Sequence, residues 1–167
     1  MKRIIAICMI ACMGILSVQA TTLDYKSSLV YQPSTGVYST TNCVPSSIKI
    51  TLNLLGIKSE PVHDIRMRIW YDSYGCLLYD AMKYIESYDV ETDWNYIDNE
   101  DDIKSKLDEW YAIVIVSENG YNHCVVVVDY VNGNYVILDP LRLDVITISE
   151  IGVIEEFVIY IKKNSSY

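Results

Sequence analysis

Cys43, His123 and Asp139 stand along this chain in the order nucleophile, base, carboxylate, the set that acyl transfer through a thiolate requires. Cys43 lies in Thr41-Asn42-Cys43-Val44-Pro45-Ser46-Ser47, at the predicted first turn of an amphipathic helix. Backbone N–H groups and the helix dipole at such a position favour thiolate over thiol. The chain offers only two histidines as partners. His123 opens the run His-Cys-Val-Val-Val-Val, at the rim of a predicted buried strand, and the next apolar run ends in Asp139-Pro140. A histidine there can meet a helix terminus with one ring nitrogen while the other bonds an orienting carboxylate. Each residue also has a plain reading: a small buried thiol, a rim histidine, and a turn aspartate before proline. Their order favours the chemical one.

Other candidates fit less well. Cys76 follows Gly75 at another predicted helix start and is the best rival nucleophile. Cys124 alternates away from His123 in a regular strand, so those two cannot cooperate. His63, in Pro61-Val62-His63-Asp64, reads as a surface residue of a helix start. No CxxC or HxxxH spacing occurs, so no zinc site is expected, and acyl transfer through a thiolate needs no metal or organic cofactor. An oxyanion hole needs donors aimed at developing charge. The backbone N–H of Cys43 is one by position. Gln32 is the only glutamine in the segment before the helix and is the candidate second donor, whereas Asn42 is expected to be engaged in capping.

The elements that must position these groups follow from periodicity. Val44, Ile48, Leu52 and Leu55 make one helical stripe, stopped by Gly56. Pro45 is tolerated only in a first turn, which places Cys43 at the helix N-terminus. Further helices are predicted over Pro61–Trp70, Gly75–Ser87 and Asp98–Glu109, after a turn-rich lead-in over residues 21–42. Strands follow at Tyr111–Val116, Asn122–Tyr130, Tyr135–Leu138, Leu143–Ile148 and Glu156–Ile161. Helices first and an antiparallel sheet after make an α+β domain. The hairpin Val131-Asn132-Gly133-Asn134 leaves one choice open. A two-residue Asn-Gly turn pairs Val131 with Asn134 and turns Asp139 to the face opposite His123. A three-residue turn pairs Tyr130 with Asn134 and sets Asp139 across from Val125, on the His123 face. The triad therefore requires the three-residue register, or a bulge or twist in the strands.

Lys2-Arg3, an apolar stretch from Ile4 to Leu16 and the small residues of Val18-Gln19-Ala20 read as a secretory signal peptide with cleavage after Ala20. About 147 residues would remain, enough for a single domain over 21–167. That mature chain is expected in the periplasm or outside the cell, with no membrane association once the leader is removed. Loss of Lys2 and Arg3 takes the net charge from −9 to −11. So acidic a chain repels nucleic acid and anionic membranes. Cys8 and Cys12 leave with the leader, and the three remaining cysteines imply at least one thiol without an internal partner.

Three motifs carry a resemblance to a known family. Tyr31-Gln32, Cys43-Val44-Pro45-Ser46-Ser47 and Leu54-Leu55-Gly56 resemble the Q…C-G-P-x-S…L-x-x-L/Y-G block of bacterial peptidase-like domains related to the bacteriocin-leader-processing cysteine peptidases of the papain-like superfamily. Asn122-His123-Cys124-Val125-Val126-Val127 is similar to that family's G-H-x-V-V-V strand, and Asn134-Tyr135-Val136-Ile137-Leu138-Asp139-Pro140 to its Y-V-x-D-P segment. The resemblance spans residues 31 to about 140. Val44 and Asn122 stand where the family has glycine, and Val44 could narrow the cleft floor. The resemblance implies a papain-like fold with the cysteine helix packed on an antiparallel sheet. It implies Cys43 as nucleophile, His123 as base, Asp139 as orienting acid, Gln32 as oxyanion donor, and a peptide or protein substrate. Two other readings stay open: a silent relative that binds a peptide in the same cleft, and an amidase or acyltransferase on cell-wall or small-molecule substrates.

Overall fold

The computed structural model describes residues 25–36, 39–69, 71–72, 75–97, 99–118, 120–152 and 157–164. The expected signal peptide and its cleavage point after Ala20 lie outside these residues, as do the expected element ends at Trp70, Asp98 and Glu156.

Two short 3₁₀ turns, Gln32–Ser34 and Ser39–Thr41, lead into helix α1, Cys43–Leu54. Helix α1 begins where Pro45 requires. It buries Val44, Ile48, Ile50 and Leu52, so apolar residues off the predicted stripe are covered as well. The reason is its position: α1 lies on the sheet and is flanked by helices α2 (Val62–Arg68) and α3 (Leu78–Glu86). Helix α4, Glu100–Lys106, starts with Asn99 accepting from the Asp101 N–H at 2.8 Å, with three acids in its first turn as the dipole favours.

A small antiparallel pair, β1 (Tyr71–Asp72) and β2 (Gly75–Cys76), precedes α3. Cys76 thus ends a strand and does not open a helix, a correction to the sequence reading. The main sheet contains β3 (Thr92–Tyr96), β4 (Trp110–Glu118), β5 (Tyr121–Val131), β6 (Asn134–Asp139), β7 (Asp144–Ile148) and β8 (Phe157–Lys162). All neighbours are antiparallel, in the order β3-β8-β4-β5-β6-β7. Strand β3 was not anticipated. It is an edge strand held partly by aromatic contact, Trp94 stacking on Phe157 at 5.3 Å and Tyr96 meeting the same ring edge-on at 5.7 Å.

The sheet separates two apolar cores. On one face Cys124, Val126, Val128, Val136 and Leu138 pack with α1 and α3. On the other Val125, Val127, Tyr135 and Ile137 pack with Ile103 and Leu107 from and just after α4. Alternation along β5 from Cys124 to Val128 supplies both.

The hairpin takes the two-residue turn: Val131 pairs with Asn134, and Asn132 and Gly133 both have positive φ, 53° and 82°. Alone, that register would turn Asp139 away from His123. A bulge at Val128 reverses the outcome. Pairing shifts between Val127 and Asp129, so that Val127 faces Ile137 and Val126 faces Leu138. One step further along, Asp139 is level with Val125 and on the His123 face.

Candidate active site

Cys43 occupies the first position of α1 and is half-buried. Ser47, one turn on, fixes that helix end by donating from Oγ to the Cys124 carbonyl at 3.1 Å, one residue from His123. Helix and strand thereby bring the thiol to the imidazole. His123 is 5% exposed and Asp139 2%. His123 Nε2 and Asp139 Oδ1 are 2.7 Å apart. The His123 ring also hydrogen-bonds Cys43.

The electrostatics follow from this geometry. Burial alone would lower the His123 pKa, but hydrogen bonds and charge from Asp139 and Cys43 outweigh it and raise it to about 9. Burial would raise the Asp139 pKa. The His123 contact, the Leu141 N–H at 2.8 Å and Arg142 Nε at 3.3 Å hold it below the usual carboxylate value instead. A charged imidazole against a charged carboxylate is what these directions describe.

Gln32 is buried, and its backbone N–H donates to the Pro140 carbonyl at 2.8 Å, so it is tied directly behind Asp139. Its side-chain nitrogen donates to Ser39 O at 2.8 Å. An amide nitrogen has two hydrogens, and this bond uses one. Asn42 sits at the N-cap position but makes no side-chain cap hydrogen bond, contrary to expectation. Its Nδ2 donates to Thr35 Oγ1 at 3.0 Å, and its Oδ1 accepts from Arg66 Nη1 at 2.8 Å. Val44 is 4% exposed and packs into the core, so its side chain is directed beneath the helix and not across a cleft floor.

The rivals fall away for physical reasons. Burial, then the charges of Asp80 and Cys43, push the Cys76 pKa up to about 12, with Arg66 opposing. A thiol so protonated is a weak nucleophile at neutral pH. Cys76→Ala should therefore leave the rate of iodoacetamide labelling at pH 7 within about twofold of wild type, with the label on Cys43. Labelling that follows Cys76 would reverse the assignment. Cys124 is fully buried on the α1 side of the sheet, and His63 is exposed. Cys43, Cys76 and Cys124 form no disulfide.

Sequence reasoning missed Arg142, Arg66 and Thr35. Arg142 could have been sought, since it follows Asp139 by three residues in a tight turn closed by Arg142 N–H to Asp139 O at 3.3 Å. Arg66, 24 residues from Asn42, left no local signal.

A cavity of about 280 Å³ adjoins the carboxylate, lined by Val125, Ile137, Ile146, Ile148 and Ile151 together with Asp139 and Arg142. Apolar walls with a few charged groups are usual for ligand sites.

No sequence-family model matches this chain, and no curated protein sequence does either. Solved structures do. The peptidase domain of Streptococcus ComA, a bi-functional ABC transporter of a quorum-sensing pathway, superposes with a TM-score of 0.61 at 15% identity, covering 75% of this chain and 93% of that one. A double glycine motif protease from an AMS/PCAT transporter, solved with its leader peptide, gives 0.59 at 16%, covering 73% and 84%. A C39-like peptidase from Bacillus anthracis gives 0.58 at 14%, covering 75% and 90%. The chain thus has the α+β papain-like fold of the C39 bacteriocin-leader-processing peptidase domains.

Proposed function

We propose that the protein is an exported thiol hydrolase that cleaves a peptide or related amide bond through Cys43, His123 and Asp139. The observation that carries this reading is the buried His123–Asp139 contact of 2.7 Å, with Cys43 bonded to the same ring at a helix N-terminus. Cys43 attacks the carbonyl as thiolate, and imidazolium protonates the leaving amine. Water, deprotonated by the then neutral imidazole, releases the acid from the thioester. Asp139 keeps the ring oriented and stabilises its charge. Gln32 and the N–H groups at the start of α1 stabilise the oxyanion. No step calls on a metal or organic cofactor. The apolar cavity beside Asp139 suits a peptide carrying aliphatic side chains, and a structural neighbour was solved holding a leader peptide. The leader read from residues 1–20 supports export.

The test is to incubate the full chain with a peptide library and quench in acid. Mass spectrometry should find a thioester adduct on Cys43, and products absent from His123→Ala. Tight peptide binding with no adduct and no cleavage would replace this reading with a silent binding module.

A further inference from the structure

A polar chain runs through the site that the chemistry above does not use. Arg66 Nη1 donates to Asn42 Oδ1 at 2.8 Å, to Thr41 Oγ1 at 3.1 Å and to Thr41 O at 3.3 Å. Asn42 Nδ2 donates to Thr35 Oγ1 at 3.0 Å, and the Thr35 hydroxyl donates to Gln32 O at 2.6 Å. A guanidinium has donors only, so the direction of every bond is set from Arg66 outward. Asn42 must show Arg66 its oxygen and Thr35 its nitrogen, and Thr35 must spend its single hydrogen on Gln32. Asn42 is fully buried, where a broken bond is costly.

Two consequences follow. The Asn42 side chain, the natural cap, is drawn away from the first N–H groups of α1, leaving that terminus without a side-chain cap. The main-chain carbonyl of Gln32, which also accepts from the Thr35 N–H at 3.0 Å, is tied through two further hydrogen bonds to the residue before Cys43. Among the described residues the Gln32 side-chain amide has one hydrogen bond, from Nε2 to Ser39 O, and Oε1 is buried without a partner.

Resting on the reading of Cys43 as nucleophile and Gln32 as oxyanion donor, we propose that Arg66, Asn42 and Thr35 are positioning residues. They hold Gln32 and the uncapped start of α1 at one fixed separation, so that both address the oxyanion of the tetrahedral intermediate. Thr35 and Arg66 are half-buried and belong to neither apolar core, so loss of the Thr35 hydroxyl alters chemistry more than stability.

Two probes of the full chain separate the effects. Iodoacetamide alkylates Cys43 by displacing iodide at saturated carbon and forms no oxyanion. p-Nitrophenyl acetate acetylates Cys43 through a tetrahedral oxyanion: the S–C bond forms, the C–O bond breaks and p-nitrophenolate leaves. Thr35→Val, which keeps the shape and removes the hydroxyl, should slow acetylation about tenfold or more, a fraction of the loss of a whole oxyanion donor. Alkylation should stay within about twofold, because the thiolate is untouched. Thr35→Ser should restore acetylation, and Thr35→Ala replaces the valine variant if the branched methyl disturbs the turn. Unchanged acetylation, an equal fall in both rates, or failure of serine to restore would overturn the proposal. A wild-type chain that is not acetylated on Cys43 would sink the underlying reading and this inference with it, and that result shows in the unmodified protein.

Discussion

Replacing Cys43 with alanine is expected to lower cleavage of any peptide the wild-type chain hydrolyses by about 10⁴-fold or more, because the covalent route is lost outright. Cys43→Ser should be nearly as inactive. A hydroxyl at the same place has no accessible anion near neutral pH, and a helix N-terminus together with His123 cannot supply one. Neither change should disturb the fold. Cys43 is half-buried at the edge of the α1 core and removes only one sulfur from it, so the thermal midpoint should move by no more than about 3 °C. Peptide cleavage and scanning calorimetry on the same preparations separate the two effects. Residual cleavage within tenfold of wild type, with the fold intact, would remove Cys43 from the chemistry.

Asp139→Asn should have the next largest effect, and its signature is a shift with pH. In the wild-type chain burial lowers the His123 pKa, yet the Asp139 and Cys43 contacts hold it at about 9. Without the carboxylate, burial is opposed by Cys43 alone and the pKa falls. Imidazolium must protonate the leaving amine, so the alkaline limb of the rate profile moves to lower pH. The maximal rate should also drop by about 10²-fold or more, as general acid–base contributions of this kind imply. The same substitution changes stability. A raised histidine pKa stabilises the native state fully below the ordinary value of 6.5 and loses that contribution as pH rises through about 9. A lowered aspartate pKa stabilises above the ordinary 3.8 and is lost as pH falls below it. This pair therefore favours the folded state most between pH 3.8 and 6.5. Asp139→Asn should flatten the decline in thermal midpoint between pH 6.5 and 9. An unshifted alkaline limb and an unchanged stability slope would show that Asp139 does not govern His123.

The position of α1 was legible because Pro45 admits only a first-turn placement and Gly56 a stop, both consequences of backbone sterics. The separation of Cys124 from His123 was legible from strand alternation, and the structure keeps them on opposite faces. Cys76 was misplaced because a glycine before a periodic run looks the same whether it opens a helix or ends a short strand. Asn42 was misread for a related reason. A capping residue type announces itself locally, but the guanidinium that captures its oxygen comes from α2.

By itself, the sequence determined the thiol at a helix start, the histidine at a strand rim and the carboxylate closing the next strand, since each depends on neighbours within a few residues. Only the tertiary structure decided whether they meet. The Asn-Gly turn taken alone sends Asp139 to the wrong face, and the bulge at Val128 brings it back. Val125, Val127 and Tyr130 all pack toward one core, which odd and even positions of a regular strand cannot do, and the sheet meets the demand by giving β5 one residue more than β6 can pair. Such a demand arises from packing on two faces at once, which no local pattern of residues records.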